Sequence, residues 1–554
     1  MKRSGDRFPI SNMGFNRKGF LLRSALAMGG IFLNGCVRKL SGRNEKYMHI
    51  KGRLNGPNEK AGHVLRDKIA IEEPTYSKKV KTLIIGAGIS GLSAGRWLKR
   101  QGIVDFEILE LEDHAGGNAH SAKNTVSSYP WGAHYITIAN NDDELLIDFL
   151  KENGVITHFE NGLPFYNEFY LCFDPEERLL IKGQWQEGLI PKFGISKQDQ
   201  EQIDKFFALC NQLKCARGGD GKYAFNIPID ASSEDKLYRD LDQMSFKDYL
   251  GKAGYNSAYL LWYLNYCCKD DYGQQIKDIS AWAGLNYFAG HKGTAANAES
   301  GAILTWPEGN GFLVNKLKSY LKSHIRTSVM ATSVVSNKGF VEVTVFDLLK
   351  NQTYTVVAEQ VIMACPQFVN KRILKNADRN LFDYDLLNYV PWVVANITLT
   401  DFPASGLQTL SWDNVPYGAP SVGYVYSGHQ QVDQGKQAKV ITFYLPLCDR
   451  EPRVSRLAAY SRSYDQWLDM IIPELEYMHP EITPLIESVD VWVWGHGMIS
   501  PSVDYIWGEE RKKARSSVAS QIFFAHTDLS GISLFEEGFH QGINAARDLL
   551  EVKR

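Results

Sequence analysis

The chain has no marked excess of charge of either sign and no apolar run long enough to span a bilayer. Its 61 Lys and Arg residues nearly balance 63 Asp and Glu residues, so the formal net charge at pH 7 is −2. Nucleic-acid-binding domains usually carry a basic patch, and the sequence also lacks their basic aromatic motifs. We therefore predict that nucleic acid is not a partner of this protein.

Cysteine and metal-ligand motifs are also sparse. The 554 residues include eight cysteines, and the seven other than Cys36 are odd in number, so they cannot all pair with one another. Cys210 and Cys215 lack partners at metal-site spacing, and no HExxH motif, CxxC pair or nucleophile elbow occurs. These absences predict that the protein binds no metal and performs no covalent chemistry at serine or cysteine.

A glycine-rich turn follows a short apolar run that is typical of a buried parallel strand, residues 82–85. Three glycines follow it in GxGxxG spacing: Gly86, Gly88 and Gly91. The first permits a sharp turn, the second lets the backbone approach a pyrophosphate, and the third allows close packing of helix on strand. The helix that begins near Ile89 and Ser90 would offer its free N–H groups and positive end to the phosphates.

An acid ends the second strand of this unit. Residues 106–109 form the strand, and Glu110 follows nineteen residues after Gly91. A carboxylate in this place can accept hydrogen bonds from a ribose diol, which implies a neutral 2′-hydroxyl group and not a 2′-phosphate. Strand, turn, helix and acid together predict a Rossmann-type dinucleotide-binding unit.

The continuation of the chain resembles the superfamily of flavin-containing amine oxidases and phytoene desaturases. After the acid, that family carries five residues and a Gly-Gly-Arg. This chain has Gly116, Gly117 and Asn118, so asparagine stands in place of the usual arginine. The resemblance spans roughly residues 79–550 and recurs at four further places.

Three of these places lie in the first two thirds of the chain. Residues 131–136 are similar to the family's GAxxI segment, which passes the flavin and contains Gly132 and Ala133. Residues 304–313 resemble the family's glycine-rich turn and the helix after it. In the strand series that follows, Val329 falls where a backbone amide and carbonyl meet the adenine in the family.

The fourth place is the C-terminal segment, residues 522–546. By resemblance, Phe535 takes the position whose backbone N–H faces the flavin pyrimidine at the start of a helix. A helix N-terminus there would stabilise negative charge on the reduced ring. The family has an acid shortly before, and two alternatives stand open here: Asp528 supplies it one residue late, or Thr527 makes a hydrogen bond instead.

The resemblance implies FAD as cofactor and an α/β fold with an α+β substrate part. The order of the cofactor-type segments predicts a Rossmann-like FAD-binding domain of glutathione-reductase and amine oxidase type that is discontinuous in sequence: residues 78–140, 296–370 and 491–554. A substrate domain of mixed sheet and helix is predicted from the two insertions: 141–295 and 371–490. Apolar residues at helical spacing predict helices over 142–152, 197–215, 258–268 and 464–476. Strand-like runs occupy 392–399 and 439–445.

The sequence is compatible with three functions. The first is an oxidoreductase, amine oxidase- or dehydrogenase-like, that transfers a hydride from a substrate C–H bond next to nitrogen to flavin N5. The second is a flavin-dependent desaturase, dehydroxylase or isomerase of isoprenoid-like lipids, and the third is a non-catalytic flavin-binding protein. Acidic residues in the substrate tunnel would favour an amine, with Glu299, Asp270 and Asp271 as candidates, whereas a wholly apolar tunnel would favour a lipid. The electron acceptor stays open.

His134 is the candidate catalytic residue, because it follows the flavin-passing Gly132 and Ala133 and could accept a proton. The alternative is that His134 only hydrogen-bonds backbone or the pyrophosphate. Trp306 and Trp494 are candidates for the walls of the substrate cavity, with a plain core role as the alternative for each.

The N-terminal residues 1–36 resemble an export signal. Residues 16–22 are similar to a twin-arginine motif in which Lys18 replaces the second arginine, and the mildly apolar stretch that follows is too short to cross a bilayer. Leu33 to Cys36 resembles a bacterial lipobox, which predicts lipidation at Cys36. The polar residues 37–77 would then form a flexible tether. The prediction is a membrane-anchored protein of the bacterial periplasm or cell envelope; an uncleaved anchor or a disordered tail is the alternative.

Overall fold

The computed structural model describes residues 45–375, 382–403, 410–431 and 437–552. The chain divides into two compact units, residues 1–49 and 50–554. In the described part of the first unit, Glu45–Tyr47 forms a 3-10 helix. The predicted export signal and Cys36 lie outside the described residues.

The second unit contains strands throughout its length. In chain order they are β1 Leu54–Asn55, β2 Ser77–Ile85, β3 Phe106–Leu109, β4 Ser121–Lys123, β5 Ser128–Pro130, β6 Tyr135–Thr137, β7 Ile156–Glu160, β8 Leu163–Tyr166, β9 Glu177–Ile181, β10 Gln184–Glu187, β11 Ile303–Thr305, β12 Ile325–Arg326, β13 Val329–Asn337, β14 Phe340–Asp347, β15 Gln352–Met363, β16 Leu374–Lys375, β17 Tyr389–Leu399, β18 Asp413–Pro416, β19 Gly423–Tyr426, β20 Lys439–Pro446, β21 Ile486–Ile499 and β22 Ile522–Phe524.

Helices connect and cover these strands. They are α1 Glu59–Arg66, α2 Ile89–Arg100, α3 Glu144–Glu152, α4 Lys197–Cys215, α5 Lys236–Arg239, α6 Phe246–Lys252, α7 Ala258–Tyr272, α8 Ala281–Ala289, α9 Gly311–Leu321, α10 Gln367–Ile373, α11 Pro452–Ser461, α12 Tyr464–Met478, α13 Glu509–Arg515 and α14 Phe535–Glu551. Within the described ranges, every helix is too short or too polar to cross a membrane.

One large sheet carries the glycine-rich turn. Its parallel part runs in the order β12, β3, β2, β15 and β22, while β15 also pairs antiparallel with β14, β14 with β13, and β16 lies beside β13. The last four residues of β2 are all buried, as expected for a central parallel strand that is covered on both faces. Helices α2 and α14 pack tightly together, since a Cβ on Gly542 would lie 2.1 Å from the carbonyl oxygen of Ser90.

A second large sheet runs in the order β1, β21, β17, β20, β19, β18, β9 and β10. Every residue of β17 is buried. Side chains of this sheet, such as Trp392 and Val415, share one apolar core with those of α4, α7 and α8. A Rossmann-like sheet combined with a sheet-and-helix part is the fold class that the sequence predicts.

The structure confirms the predicted helices and strands of the substrate part, with small changes at their ends. The predicted helices 142–152, 197–215, 258–268 and 464–476 correspond to α3, α4, α7 and α12, and the predicted strands 392–399 and 439–445 correspond to β17 and β20. These segments combine strong periodicity with clear ends: Ser196 and Ser463, for example, each form a capping box at the start of a helix.

The structure differs from the prediction over the tether, residues 37–77. In its described part, β1 pairs in parallel with β21, and α1 begins with the Asn58 side chain accepting a hydrogen bond from the Ala61 N–H at 3.2 Å. Main-chain hydrogen bonds add Lys51 to the same edge, where its N–H donates to the carbonyl of Glu487. Such pairing uses only the backbone, so the polar composition of the segment does not prevent it.

Candidate active site

Two glycines of the GxGxxG motif are required by close backbone contacts. Gly86 has a φ of +104°, and a Cβ there would lie 2.5 Å from the carbonyl oxygen of Ala364. A Cβ on Gly91 would lie 1.9 Å from the carbonyl oxygen of Gly86, so glycine lets α2 start directly on the turn. Gly88 has no neighbour within 4 Å of an added Cβ. The turn is thus tightly packed on the protein side and open at Gly88.

The N-terminus of α2 lies at this opening. Gly88 is the N-cap and has no side chain to accept hydrogen bonds from the first turn, which begins with Ile89 and Ser90. N–H groups without a side-chain cap carry the positive end of the helix dipole and suit an anion. An open glycine cradle with these donors fits the pyrophosphate of a dinucleotide.

The residues predicted to hold the adenosine lie together beside the cradle. The Glu110 carboxylate accepts hydrogen bonds from the Ala87 N–H at 2.8 Å and from the Glu112 N–H at 3.0 Å. Burial raises the pKa of Glu110, and these two hydrogen bonds oppose the rise. Val329 is the direct neighbour of Glu110, since its N–H donates to the Glu110 carbonyl at 2.9 Å. Glu110 and Val329, the two residues predicted to contact the adenosine, therefore lie next to each other in the fold.

The glycine pair closes the other side of the cradle. Gly117 has a φ of +56°, and a Cβ there would lie 3.3 Å from the Cα of Gly88. The Gly116 N–H donates to the Ala87 carbonyl at 2.9 Å. Next in sequence, the Asn118 side chain donates to the backbone carbonyl of Gly497 on β21. The family that this chain resembles has arginine at this position. Here the uncharged Asn118 side chain forms a hydrogen bond to the second sheet instead.

The C-terminal residues are placed at the start of α14. Phe535 is the first residue of this helix, and its N-cap, Leu534, offers no side-chain hydrogen bond. The Asp528 carboxylate is held inside the protein: it accepts from the Gln367 N–H at 2.7 Å and from the Tyr389 hydroxyl at 2.5 Å. Burial alone would raise the pKa of Asp528, but the charge and hydrogen bond of His526 lower it below its usual value.

A cavity of about 420 Å³ connects the predicted flavin-side residues with the second sheet. Five of the residues predicted on the flavin side line it together: Asn118, Gly132, Ala133, His134 and Phe535. The rest of the wall is rich in aromatic rings, which belong to Tyr135, Tyr263, Tyr266, Tyr287, Phe288, Trp392, Trp412, Tyr444 and Trp494. The geometry therefore combines a dinucleotide cradle with an adjoining aromatic chamber, the arrangement of a cofactor site with a substrate site beside it.

His134 lies in this chamber among aromatic rings. Its ring centroid is 4.6 Å from that of Tyr444 and 5.7 Å from that of Trp412. Burial lowers the pKa of His134 to about 4, although a hydrogen bond with the backbone of Gly132 opposes the fall. At neutral pH the imidazole is therefore uncharged, so it supplies no positive charge, and its low pKa makes it a weak proton acceptor. Its catalytic role stays a prediction.

Six carboxylic side chains line the same cavity: Glu176, Glu177, Asp270, Asp271, Asp413 and Glu536. Tyrosine hydroxyls hold several of them. The Tyr135 hydroxyl donates to Asp271 at 2.9 Å and lies 3.4 Å from Asp270, and the Tyr266 hydroxyl donates to Asp413 at 2.9 Å. The cavity is thus both aromatic and acidic.

Burial raises the pKa of these carboxyl groups. It raises the pKa of Glu177 to about 7, with the charges of Glu176 and Asp270 adding to the rise. It also raises the pKa values of Asp270 and Asp271, and the charge on Asp270 raises that of Asp271 further. Asp413 is raised well above its usual value for the same reason. Within the described ranges, no basic side chain counteracts the raised pKa values of Glu177, Asp270 and Asp271, so the cluster favours a positively charged ligand.

Part of this chamber was predicted from the sequence. Asp270, Asp271 and Trp494 line it as proposed, whereas Glu299 is exposed and lies outside its wall. Trp306 also lies outside it and stacks on Phe312 with ring centroids 4.8 Å apart. The four remaining acids, Glu176, Glu177, Asp413 and Glu536, carry no local sequence signal, because strands and a helix from distant parts of the chain bring them together.

The fold and the site together define a Rossmann-like dinucleotide-binding architecture joined to a sheet-rich substrate part, as found in flavin amine oxidases. A family described as NAD(P)-binding Rossmann-like domain matches residues 84–152. Polyamine oxidase 7 of Oryza sativa subsp. japonica is 42% identical over 62 residues, which is 11% of this chain and 13% of that protein. The chain therefore matches only a small part of this relative's length.

Solved structures are similar over most of the chain. Wild-type putrescine oxidase bound to putrescine matches with a TM-score of 0.64 and 14% identity, over 86% of this chain and all of that one (100%). Cyclohexylamine oxidase from Brevibacterium oxydans IH-35A matches with a TM-score of 0.61 and 12% identity, with the same coverage of 86% and 100%. At such low identity these structural matches show the fold alone. The shared fold confirms the predicted fold class. Together with the dinucleotide-binding segment, the similarities indicate FAD as the cofactor.

Proposed function

We propose that this protein is an FAD-dependent oxidoreductase that oxidises an amine at a C–H bond next to nitrogen. The observation that carries the proposal is the cavity in which Phe535 and Gly132, on the cofactor side, share one space with Asp270 and Asp271. The names of the relatives, which include a polyamine oxidase, a putrescine oxidase and a cyclohexylamine oxidase, support this choice of substrate.

The chain's own residues account for binding and orientation. The glycine cradle and the N-terminus of α2 would hold the pyrophosphate, Glu110 and Val329 the adenosine, and the start of α14 the flavin end. When bound, FAD supplies the acceptor for a hydride equivalent from the substrate. The aromatic walls exclude water and orient the substrate carbon toward the cofactor side of the cavity. The acids attract the substrate's ammonium group.

Asp271 is the residue that we propose to receive the substrate's proton. An ammonium ion must lose a proton before the nitrogen lone pair can assist cleavage of the neighbouring C–H bond. A bound ammonium favours the ionised form of Asp271, and the raised pKa makes that carboxylate a stronger base for the proton. The Tyr135 hydroxyl 2.9 Å away can adjust its hydrogen bond to either protonation state. The neutral His134 lies in the same chamber, but its pKa of about 4 makes it the weaker base of the two.

The lipid alternative requires a wholly apolar tunnel, and this cavity does not meet that requirement. Six carboxylic side chains and Lys214 line it, and burying them against a hydrocarbon chain would be unfavourable. A non-catalytic flavin-binding protein would need the cradle but not an acid-lined chamber beside the flavin end. The experiment below distinguishes both alternatives from amine oxidation.

The proposal is tested by mixing the purified holoprotein with a panel of amines and isoprenoids without oxygen. We expect amines to bleach the visible flavin absorption and isoprenoids to leave it unchanged. Bleaching by isoprenoids alone would assign the lipid function. No bleaching by any compound, with flavin present, would support the non-catalytic alternative.

We also propose that the protein is exported by a twin-arginine route and anchored by a lipid on Cys36. The motif around Arg17 and Lys18 and the lipobox-like end at Cys36 support this proposal, since a flavoprotein can be loaded with FAD before folded export. Arg17→Lys, with Lys18 kept, should retain the protein in the cytoplasm. Cys36→Ser should release it from membranes, whereas Cys215→Ser, at an exposed cysteine, should not. Membrane binding that survives Cys36→Ser would refute the lipid anchor.

A further inference from the structure

A single basic side chain lines the acid-rich cavity. Lys214, near the C-terminal end of α4, is the only lysine or arginine among the described residues of its wall. The residue is half-buried. The active-site chemistry proposed above uses the acids and leaves this charge without a role.

Lys214 has no counterion in the described parts of the chain, where no carboxylate oxygen lies within 4 Å of its ammonium nitrogen. Its charge acts instead on other basic groups. Burial lowers the pKa of His291 to about 4, and the charges of Lys292 and Lys214 contribute to the fall. Burial also lowers the pKa of Lys292 to about 8, where the charge of Asp142 opposes the fall and that of Lys214 adds to it. Lys214 thus lies near two other basic residues, His291 in the cavity wall and Lys292 behind it, and none of the described carboxylates forms a salt bridge with its ammonium group.

The acids form a separate group within the same cavity. Asp271 is bonded to Tyr135 and Asp413 to Tyr266, and their pKa values are raised by burial and by one another. Positive and negative side chains thus share one partly buried space without forming an ion pair. Keeping opposite charges apart in such a space is unfavourable unless water or a ligand neutralises each of them.

From this arrangement we infer that the substrate is an amine that also carries an anionic group, and that Lys214 binds that group. The inference rests on the proposed function, because it adds a second contact to the same amine site. A carboxylate matches the chemistry: Lys214 supplies the charge, and His291, which also lines the cavity, supplies a neutral imidazole. The Nδ1 atom of His291 lies 2.6 Å from the Thr137 hydroxyl, which leaves Nε2 for a ligand.

The test compares compounds that differ by one carboxylate. Phenylalanine is paired with phenethylamine, and γ-aminobutyrate with propylamine, and each is mixed with the holoprotein without oxygen. In the wild type, the carboxylate-bearing compound of at least one pair should reduce the flavin with roughly tenfold or higher efficiency, measured as rate constant over Kd, since a charge-assisted contact is worth about that factor. Lys214→Met should bring the ratio near unity, and Lys214→Arg should keep it.

Lys205→Met is the matched control, because Lys205 lies on the same helix, is exposed and does not line the cavity. It should leave the ratio unchanged. Flavin absorption verifies that each variant is folded and loaded, and Lys214→Gln replaces Lys214→Met if that variant is not. Two results would overturn this inference without affecting the proposed function. One is a wild-type preference for the amines that lack a carboxylate; the other is a carboxylate preference that changes by less than about twofold in Lys214→Met. Failure of every amine to reduce the flavin would overturn the proposed function as well.

Discussion

Glu177 and Asp413 lie side by side on the parallel strands β9 and β18, and both carboxyl groups line the cavity next to the cofactor side. Burial and neighbouring negative charge raise the pKa of each, that of Glu177 to about 7. Two adjacent acids in a partly buried place are costly to ionise together. A substrate ammonium that lies between them changes this balance, so proton release and amine binding are linked.

This linkage predicts that amine affinity depends on pH. A bound ammonium favours the ionised carboxylates, which the free protein reaches only as the pH rises through their elevated pKa values. We therefore expect the Kd of an amine to fall by roughly tenfold between about pH 5.5 and about pH 8, where simple amines remain protonated. Flavin difference spectra recorded with a slowly reacting amine give the Kd at each pH.

Glu177→Gln is the variant that checks the origin of this dependence. It should weaken binding at high pH and flatten the profile, because one of the titrating carboxylates is removed. Glu187→Gln, at an exposed end of β10, is the control and should leave the profile unchanged. A wild-type Kd that is constant or rises over this range would argue against binding of the cation by these acids.

A second prediction concerns Asp271 as the proton acceptor. Asp271→Asn should lower the rate constant of flavin reduction by an amine by roughly a hundredfold or more, which is typical for loss of an acid–base group. Tyr135→Phe should lower it less, because the carboxylate remains and only its hydrogen bond is lost. Stopped-flow reduction without oxygen measures both rate constants.

The control for that experiment is Asp278→Asn, an exposed acid a few residues further along that does not line the cavity. It should react like the wild type. Should Asp271→Asn retain the wild-type rate constant while its Kd rises, Asp271 binds the substrate but does not accept its proton, and His134 becomes the candidate to replace.

A third prediction separates cofactor binding from folding. Gly88→Glu places a charged side chain in the open space of the cradle, where nothing lies within 4 Å. The protein should therefore fold but lose the visible absorption of bound flavin. Gly251→Glu, at an equally open glycine of α6, should stay yellow. Gly88→Glu protein that retains its flavin would refute the assignment of the cradle.

The glycine cradle and the long helices were predictable because their signals are local. Gly86, Gly91 and Glu110 stand at spacings fixed by one strand–helix–strand unit, and α4 shows its periodicity and its cap within a single stretch. The acid-rich chamber was only partly predictable. Asp270 and Asp271 attract notice as neighbouring acids, whereas Glu177 and Asp413 meet through the pairing of strands that lie far apart in sequence, and no local pattern encodes that register.

The position of Lys214 in the chamber was also not predictable from a local sequence pattern. On a helix with polar and apolar residues it resembles any solvated lysine, and only the packing of α4 against the rest of the chamber gives it a special place. Edge strand β1 was missed for a different reason, because its pairing with β21 depends on main-chain groups that composition does not report.

The last prediction concerns stability and the pair formed by His540 on α14 and Asp143 at the start of α3. Their Nε2 and Oδ2 atoms are 2.8 Å apart, and the two side chains are only 9% and 3% exposed. Asp143 also caps α3 by accepting from the Leu146 N–H at 3.0 Å. Burial alone would lower the pKa of His540, but the hydrogen bond and charge of Asp143 outweigh it and raise the pKa above 6.5.

A raised folded-state pKa means that the pair stabilises the protein fully below the unfolded-state pKa of histidine, about 6.5, and less as the pH rises through the folded value. His540→Gln should therefore lower the free energy of unfolding by about 3 kcal/mol near pH 6, as for a broken buried pair, and by less near pH 9. His158→Gln, which removes an exposed contact with Glu160, should change it by less than about 0.5 kcal/mol at either pH. Denaturant unfolding of the loaded protein measures all of these values. An equal loss at both pH values would show that His540 contributes through packing and not through its charge.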